Sequence, residues 1–201
     1  MLNKNHHELI TFSKLGEIVD DSLLNSLLFE NAQIKIKFLS RLVNELKFPV
    51  VYLDFDLLFS GYVVSKTIES PGDNITIVKP TLDNLENVIN EVIYQVVDKK
   101  TIVIIDSLNV LSNFFSGKDS GRILNAYLML LASISEQSNS KIIFSSVAKK
   151  KDGMWVLSPT NRHIVDSGKI LKIFVTENNV DLVLEVTHEN YLRKFSVRKD
   201  S

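Results

Sequence analysis

The sequence predicts a single α/β domain: a mainly parallel sheet flanked by helices and finished by a C-terminal antiparallel β meander. Three observations carry that expectation. Thr101-Ile102-Val103-Ile104-Ile105-Asp106-Ser107 is a near-continuous apolar run, the pattern of a strand covered by helices on both faces. Earlier in the chain, short apolar runs alternate with segments of helical periodicity, as in successive strand–helix units. The last thirty-odd residues change pattern, alternating apolar and polar residues in three short runs separated by polar turns.

In chain order, Ser26 to Glu30 reads as a short buried strand. The helix that follows places Ile34, Phe38, Leu39, Leu42, Val43 and Leu46 on one face. Pro49 precedes Val50-Val51-Tyr52-Leu53-Asp54-Phe55-Asp56, a β-branched and aromatic strand ending in acids. Pro71-Gly72 marks a turn before a strand at Ile75 to Val78. Thr81 is the expected cap of an amphipathic helix carrying Leu85, Val88, Ile89, Val92, Ile93 and Val96. After the Thr101 to Ser107 strand, Gly117 and Gly121 punctuate a loop, and Arg122 to Gln137 reads as a helix with Leu124, Leu128, Leu131 and Ile134 inward. Lys141 to Val147 is a further buried strand. Ala148 to Gly168, broken by Lys149-Lys150-Lys151-Asp152-Gly153 and Ser158-Pro159, reads as a long loop, and long loops are commonly functional. Lys169 to Val175, Asp181 to Val186 and Tyr191 to Val197 form the meander.

Composition narrows the function classes. A chain of 201 residues with 45% hydrophobic content suits one domain, with residues 1 to 25 as a candidate N-terminal arm. It contains no apolar run of membrane-spanning length, and Met1 to His7 is polar, so the expectation is a soluble, cytoplasmic protein with no membrane partner. Without cysteine there are no disulfides or thiolate metal sites, and four scattered histidines (6, 7, 163 and 188) make a poor ligand set, so no metal and no cofactor are expected. The formal net charge of −1 gives no global attraction to nucleic acid.

The strand ending in Asp54-Phe55-Asp56, the strand ending Ile104-Ile105-Asp106-Ser107, and the C-terminal meander occur in an order that resembles the RecA/RadA recombinase core over roughly residues 24 to 198. The resemblance implies a RecA-like sheet. It places Asp106 at the Walker B position that orients the magnesium water shell, and Asp56 where the family carries a catalytic glutamate. Aspartate is one methylene shorter, so its reach toward a water is reduced. A phosphate-binding loop needs glycines, whose backbone N–H groups face the phosphates, and a Lys-Ser/Thr pair. Here Asn31-Ala32-Gln33 joins strand to helix, no glycine lies between Gly16 and Gly61, and only Lys35 stands near the helix start. Two Ser-Gly-Lys triplets, 116 to 118 and 167 to 169, lack the first glycine and the following Ser/Thr and are read as turns. Asp56 and Asp106 are therefore vestigial. The alternative is that such strand-end acids merely sit in the crevice of a doubly wound sheet.

In the recombinases the loop after the strand resembling Lys141 to Val147 contacts DNA. In this chain it holds Lys149, Lys150, Lys151, Trp155, Arg162 and His163, cations that can track phosphates and a ring that can stack on a base. The bland reading is a solvated charge run with Trp155 packed on the core beneath. Ser145-Ser146-Val147 stands where the family reads the nucleotide state, and Phe29-Glu30-Asn31-Ala32, which mimics a recombinase docking motif, is expected to be core. The resemblance implies a non-catalytic paralog that partners an active RecA/RadA-like ATPase or itself and binds single-stranded DNA in recombination and repair. The alternatives are an RNA-binding subunit of a RecA-like ring, similar to the Elongator accessory subunits, and an ATPase completed by a partner's phosphate-binding loop.

Overall fold

The structure, a computed structural model, describes residues 8–115, 120–151, 154–157, 170–188 and 191–199. The chain is α/β. Among the described residues, ten strands and six helices follow in the order β1 (Glu8–Leu9), α1 (Phe12–Asp20), β2 (Leu24–Phe29), α2 (Ala32–Glu45), β3 (Val50–Asp54), α3 (Leu58–Val64), β4 (Ile75–Val78), α4 (Leu85–Asp98), β5 (Ile102–Asp106), α5 (Leu108–Phe114), α6 (Ser120–Ser138), β6 (Lys141–Lys151), β7 (Met154–Leu157), β8 (Ile170–Glu177), β9 (Asp181–His188) and β10 (Tyr191–Arg198). The sheet order is β1-β10-β9-β8-β2-β6-β5-β3-β4, with β7 beside β6. From β8 to β4 every neighbouring pair is parallel, whereas β8, β9 and β10 form the antiparallel meander.

All five residues of β3 and of β5 are buried, because helices cover both faces. One layer packs α1, α2 and α3 on the sheet through Leu15, Phe38, Leu39, Leu42 and Phe59; the other packs α4, α5 and α6 through Val92, Val96, Leu111 and Leu131. Edge-to-face contacts of Phe38 with Phe12 and Phe29 tie α1, α2 and β2 together. Phe29 is fully buried, as expected of a core residue.

Three expectations change. Residues 8 to 25 are integral to the core: β1 pairs with β10, and α1, capped by the Thr11 side chain, buries Phe12, Leu15 and Val19. Thr81 does not cap α4; Asn84 holds the N-cap position and its side chain accepts the Thr81 N–H at 2.7 Å. The stretch after Val147 does not begin as a loop, because β6 runs on to Lys151 and pairs antiparallel with β7. The two Ser-Gly-Lys triplets lie outside the described residues. No helix among the described residues is long and apolar enough to cross a membrane.

Candidate functional site

The C-terminal ends of the parallel strands gather the acids that the sequence singled out. Asp106 ends β5, Asp54 ends β3 beside it in register, and Asp56 follows two residues later. The three carboxylates present oxygens within 4.8 Å of one another. The side chain brought to them is Lys35. It projects from the first turn of α2 and is fully buried, with Nζ 2.6 Å from Asp106 Oδ1 and 2.5 Å from Asp56 Oδ2. Position 35 falls on the same helix face as Phe38, Leu39 and Leu42, so the core-facing stripe itself carries the lysine inward.

Asp106 is wholly buried and accepts from three donors within the protein. Its Oδ1 accepts from Lys35 and from the Ser145 hydroxyl on β6, and its Oδ2 accepts from the Tyr52 hydroxyl at 2.5 Å. Asp54 and Asp56 have a second duty at the start of α3: Asp54 Oδ2 accepts from the Ser60 N–H at 2.7 Å and Asp56 Oδ1 from the Leu58 N–H at 3.1 Å. These bonds hold Leu57 at φ 60°, a left-handed conformation that costs a branched residue roughly 1–2 kcal/mol. Among the described residues, Asp54 Oδ1 is buried without a hydrogen-bond partner.

The electrostatics follow from burial and proximity. Burial alone would lower the Lys35 pKa, but the charges of Asp106 and Asp56, with their hydrogen bonds, outweigh it and hold the ammonium above its ordinary range. Burial pushes the Asp106 carboxyl up; Lys35 pulls it back, and the neighbouring Asp56 charge adds to the rise. Burial, reinforced by the charge of Asp106, pushes the Tyr52 hydroxyl well above its usual value, so it remains a donor.

The connection from β2 to α2 is short and partly bonded to itself. Only Glu30 and Asn31 separate β2 from α2, and the Asn31 side chain accepts the Ile34 N–H at 3.0 Å, capping the helix. The Lys35 N–H goes to the Asn31 carbonyl and the Glu30 N–H to the Val175 carbonyl, so the amides of Glu30, Ile34 and Lys35 are bonded within the fold. A Mg²⁺ ion, which the Walker B resemblance implies, does not fit the residues present. It needs oxygen ligands at about 2.0–2.1 Å in an octahedron, and the Lys35 ammonium stands between two of the three carboxylates.

The basic candidates sit apart from this cluster, on the β6–β7 hairpin. Lys149 and Lys150 are exposed, Lys151 ends β6, and Trp155 on β7 lies opposite Lys150 in register. The Trp155 ring is half-buried and stacks on Phe174, centroids 5.1 Å apart and planes at 19°, above Leu28 and Ala148. One face of the indole is thus spent on packing. Arg162 and His163 lie outside the described residues. Sequence reasoning noticed Lys35 only as a remnant and overlooked Tyr52 and Ser145 as its companions; the available signal was a lysine in an otherwise apolar helix stripe. No protein-family model matches this chain, and no curated protein matches it.

Proposed function

We propose that this chain is a RecA/RadA-like domain without catalytic activity of its own, acting by binding an active RecA-like ATPase or a second copy of itself. The observation that carries this reading is the closed state of Asp106, whose two oxygens take three internal donors, one of them a buried lysine. Three of the four lone-pair sites of the carboxylate are filled from within the protein, and Asp106 has no exposure to solvent through which the remaining one could meet a metal-bound water. One ammonium among three carboxylates also leaves the cluster net negative, which repels a polyphosphate. The exposed Lys149 and Lys150 beside Trp155 support a contact with single-stranded DNA in recombination or repair, cations following the phosphates and the half-open indole meeting a base. The same surface admits RNA, and the two polymers are distinguished by direct competition.

The test is equilibrium dialysis of ATP·Mg²⁺ against the purified chain up to about 1 mM, the weak end of the affinity scale, with Asp106→Ala in parallel. The account expects no binding to the wild type. Micromolar binding that disappears in the variant would overturn it and make this a nucleotide-dependent protein.

A further inference from the structure

Helix α6 has two apolar faces, and only one is used. Leu124 and Leu131 point into the core, 8% and 1% exposed, whereas Ile123, Met129 and Leu130 on the other side are 37%, 72% and 45% exposed. Between them lie Ala126 and Ser133, small and exposed, and the only charges on this face are Arg122 near one end and Glu136 near the other. Ile123, Ala126 and Leu130, with Arg122 and Tyr127, border an open hollow of about 370 Å³. Met129, the most exposed of the three large apolar side chains on this face, lies beside that hollow rather than lining it.

This face is complementary to itself. We infer that α6 is the contact of a two-fold homodimer, in which α6 packs antiparallel against α6 of a second copy. Antiparallel pairing centred on Met129 sets the Met129 side chains of the two copies against each other at the axis. It sets the small residues Ala126 and Ser133 near the point of crossing, where short side chains let helices approach closely. Arg122 and Glu136 lie symmetrically about Met129 along the helix, so the same pairing brings each Arg122 within reach of Glu136 of the second copy. Parallel pairing would instead set like charges side by side. A two-fold axis requires that one patch serve both subunits, which these positions do.

The inference names the second copy as the partner in the reading above and rests on that reading only for the role of self-association. The patch is small, at the transient end of interface areas below about 1,200 Å², and a dissociation constant of roughly 10–100 µM is expected. Sedimentation equilibrium of the full chain from about 1 µM to 1 mM tests this. The expected result is a monomer–dimer equilibrium that Met129→Glu weakens about tenfold or more, about 1.4 kcal/mol at the least. Arg122→Glu and Glu136→Arg should each weaken association singly, and the doubly exchanged chain should recover it. Monomer at every concentration overturns the inference, as does a dimer indifferent to Met129→Glu or unrestored by the double exchange. A monomer that still fails to bind ATP sinks the dimer alone; a dimer that binds ATP·Mg²⁺ sinks the non-catalytic reading alone.

Discussion

Replacing Lys35 with Met removes one charge and keeps most of the side-chain volume, so its cost isolates what the ammonium does. Asp106 and Asp56 would then face each other without a counter-ion, Asp106 with no exposure to water. Breaking a buried pair by deleting one partner costs about 3–5 kcal/mol. A second route gives a similar figure, because the carboxyl escapes by taking up a proton. Keeping an acid of ordinary pKa about 3.9 protonated at pH 7 costs about 1.4 kcal/mol per pH unit, or about 4 kcal/mol in all. The two agree, and the second adds a pH signature. In Lys35→Met the folded-state pKa of Asp106 rises further above its unfolded value, so the folded state holds the proton more tightly. Stability is therefore present below pH about 4 and is lost as pH rises toward the folded-state value. Urea unfolding should show the variant about 4 kcal/mol below wild type at pH 7, with a gap narrower by about 2 kcal/mol or more at pH 5. Lys35→Met combined with Asp106→Asn should recover most of the loss. A cost under about 1 kcal/mol, the scale of an exposed pair, or a gap that does not change with pH would refute the buried-pair account.

Two further outcomes follow from the same geometry. Tyr52 and Lys35 both hold their protons more tightly when folded, so their contribution is complete below their unfolded pKa values of about 10 and is lost as pH rises beyond them; Tyr52→Phe should flatten the alkaline fall in urea midpoints and cost about 1–3 kcal/mol at pH 7. On the hairpin, the double change Lys149→Glu and Lys150→Glu should weaken binding of a fluorescein-labelled single-stranded oligonucleotide and lower the slope of log K against log salt by about 1.4, from about 0.7 per phosphate contact; an unchanged slope places the contact elsewhere.

The parallel core was legible because its signals are local. Val50 to Asp54 and Ile102 to Asp106 are apolar at every position before the terminal acid, and α4 keeps its inward stripe through Val96. The hairpin was misjudged where polarity and geometry disagree: three lysines read as loop, yet the strand continues through them, packing Ala148 inward and pairing with β7 as far as Lys151. The Phe12, Leu15 and Val19 spacing of α1 was present but short, and its burial depends on α2, a partner that local periodicity does not name. The acids of the site were found from strand ends. Their partners were not, because Lys35 and Asp106 are 71 residues apart, and Asp106 and Ser145 39 apart, and only the sheet order brings them together.

The most direct test of the closed site observes the Lys35 ammonium itself, by ¹⁵Nζ-lysine NMR with the resonance assigned by its loss in Lys35→Met. The account predicts an ammonium protected from solvent, still protonated above the ordinary lysine pKa of about 10.4, and unmoved by ATP·Mg²⁺. A resonance that titrates below that value, or shifts when the nucleotide is added, would contradict a site filled by the protein's own lysine.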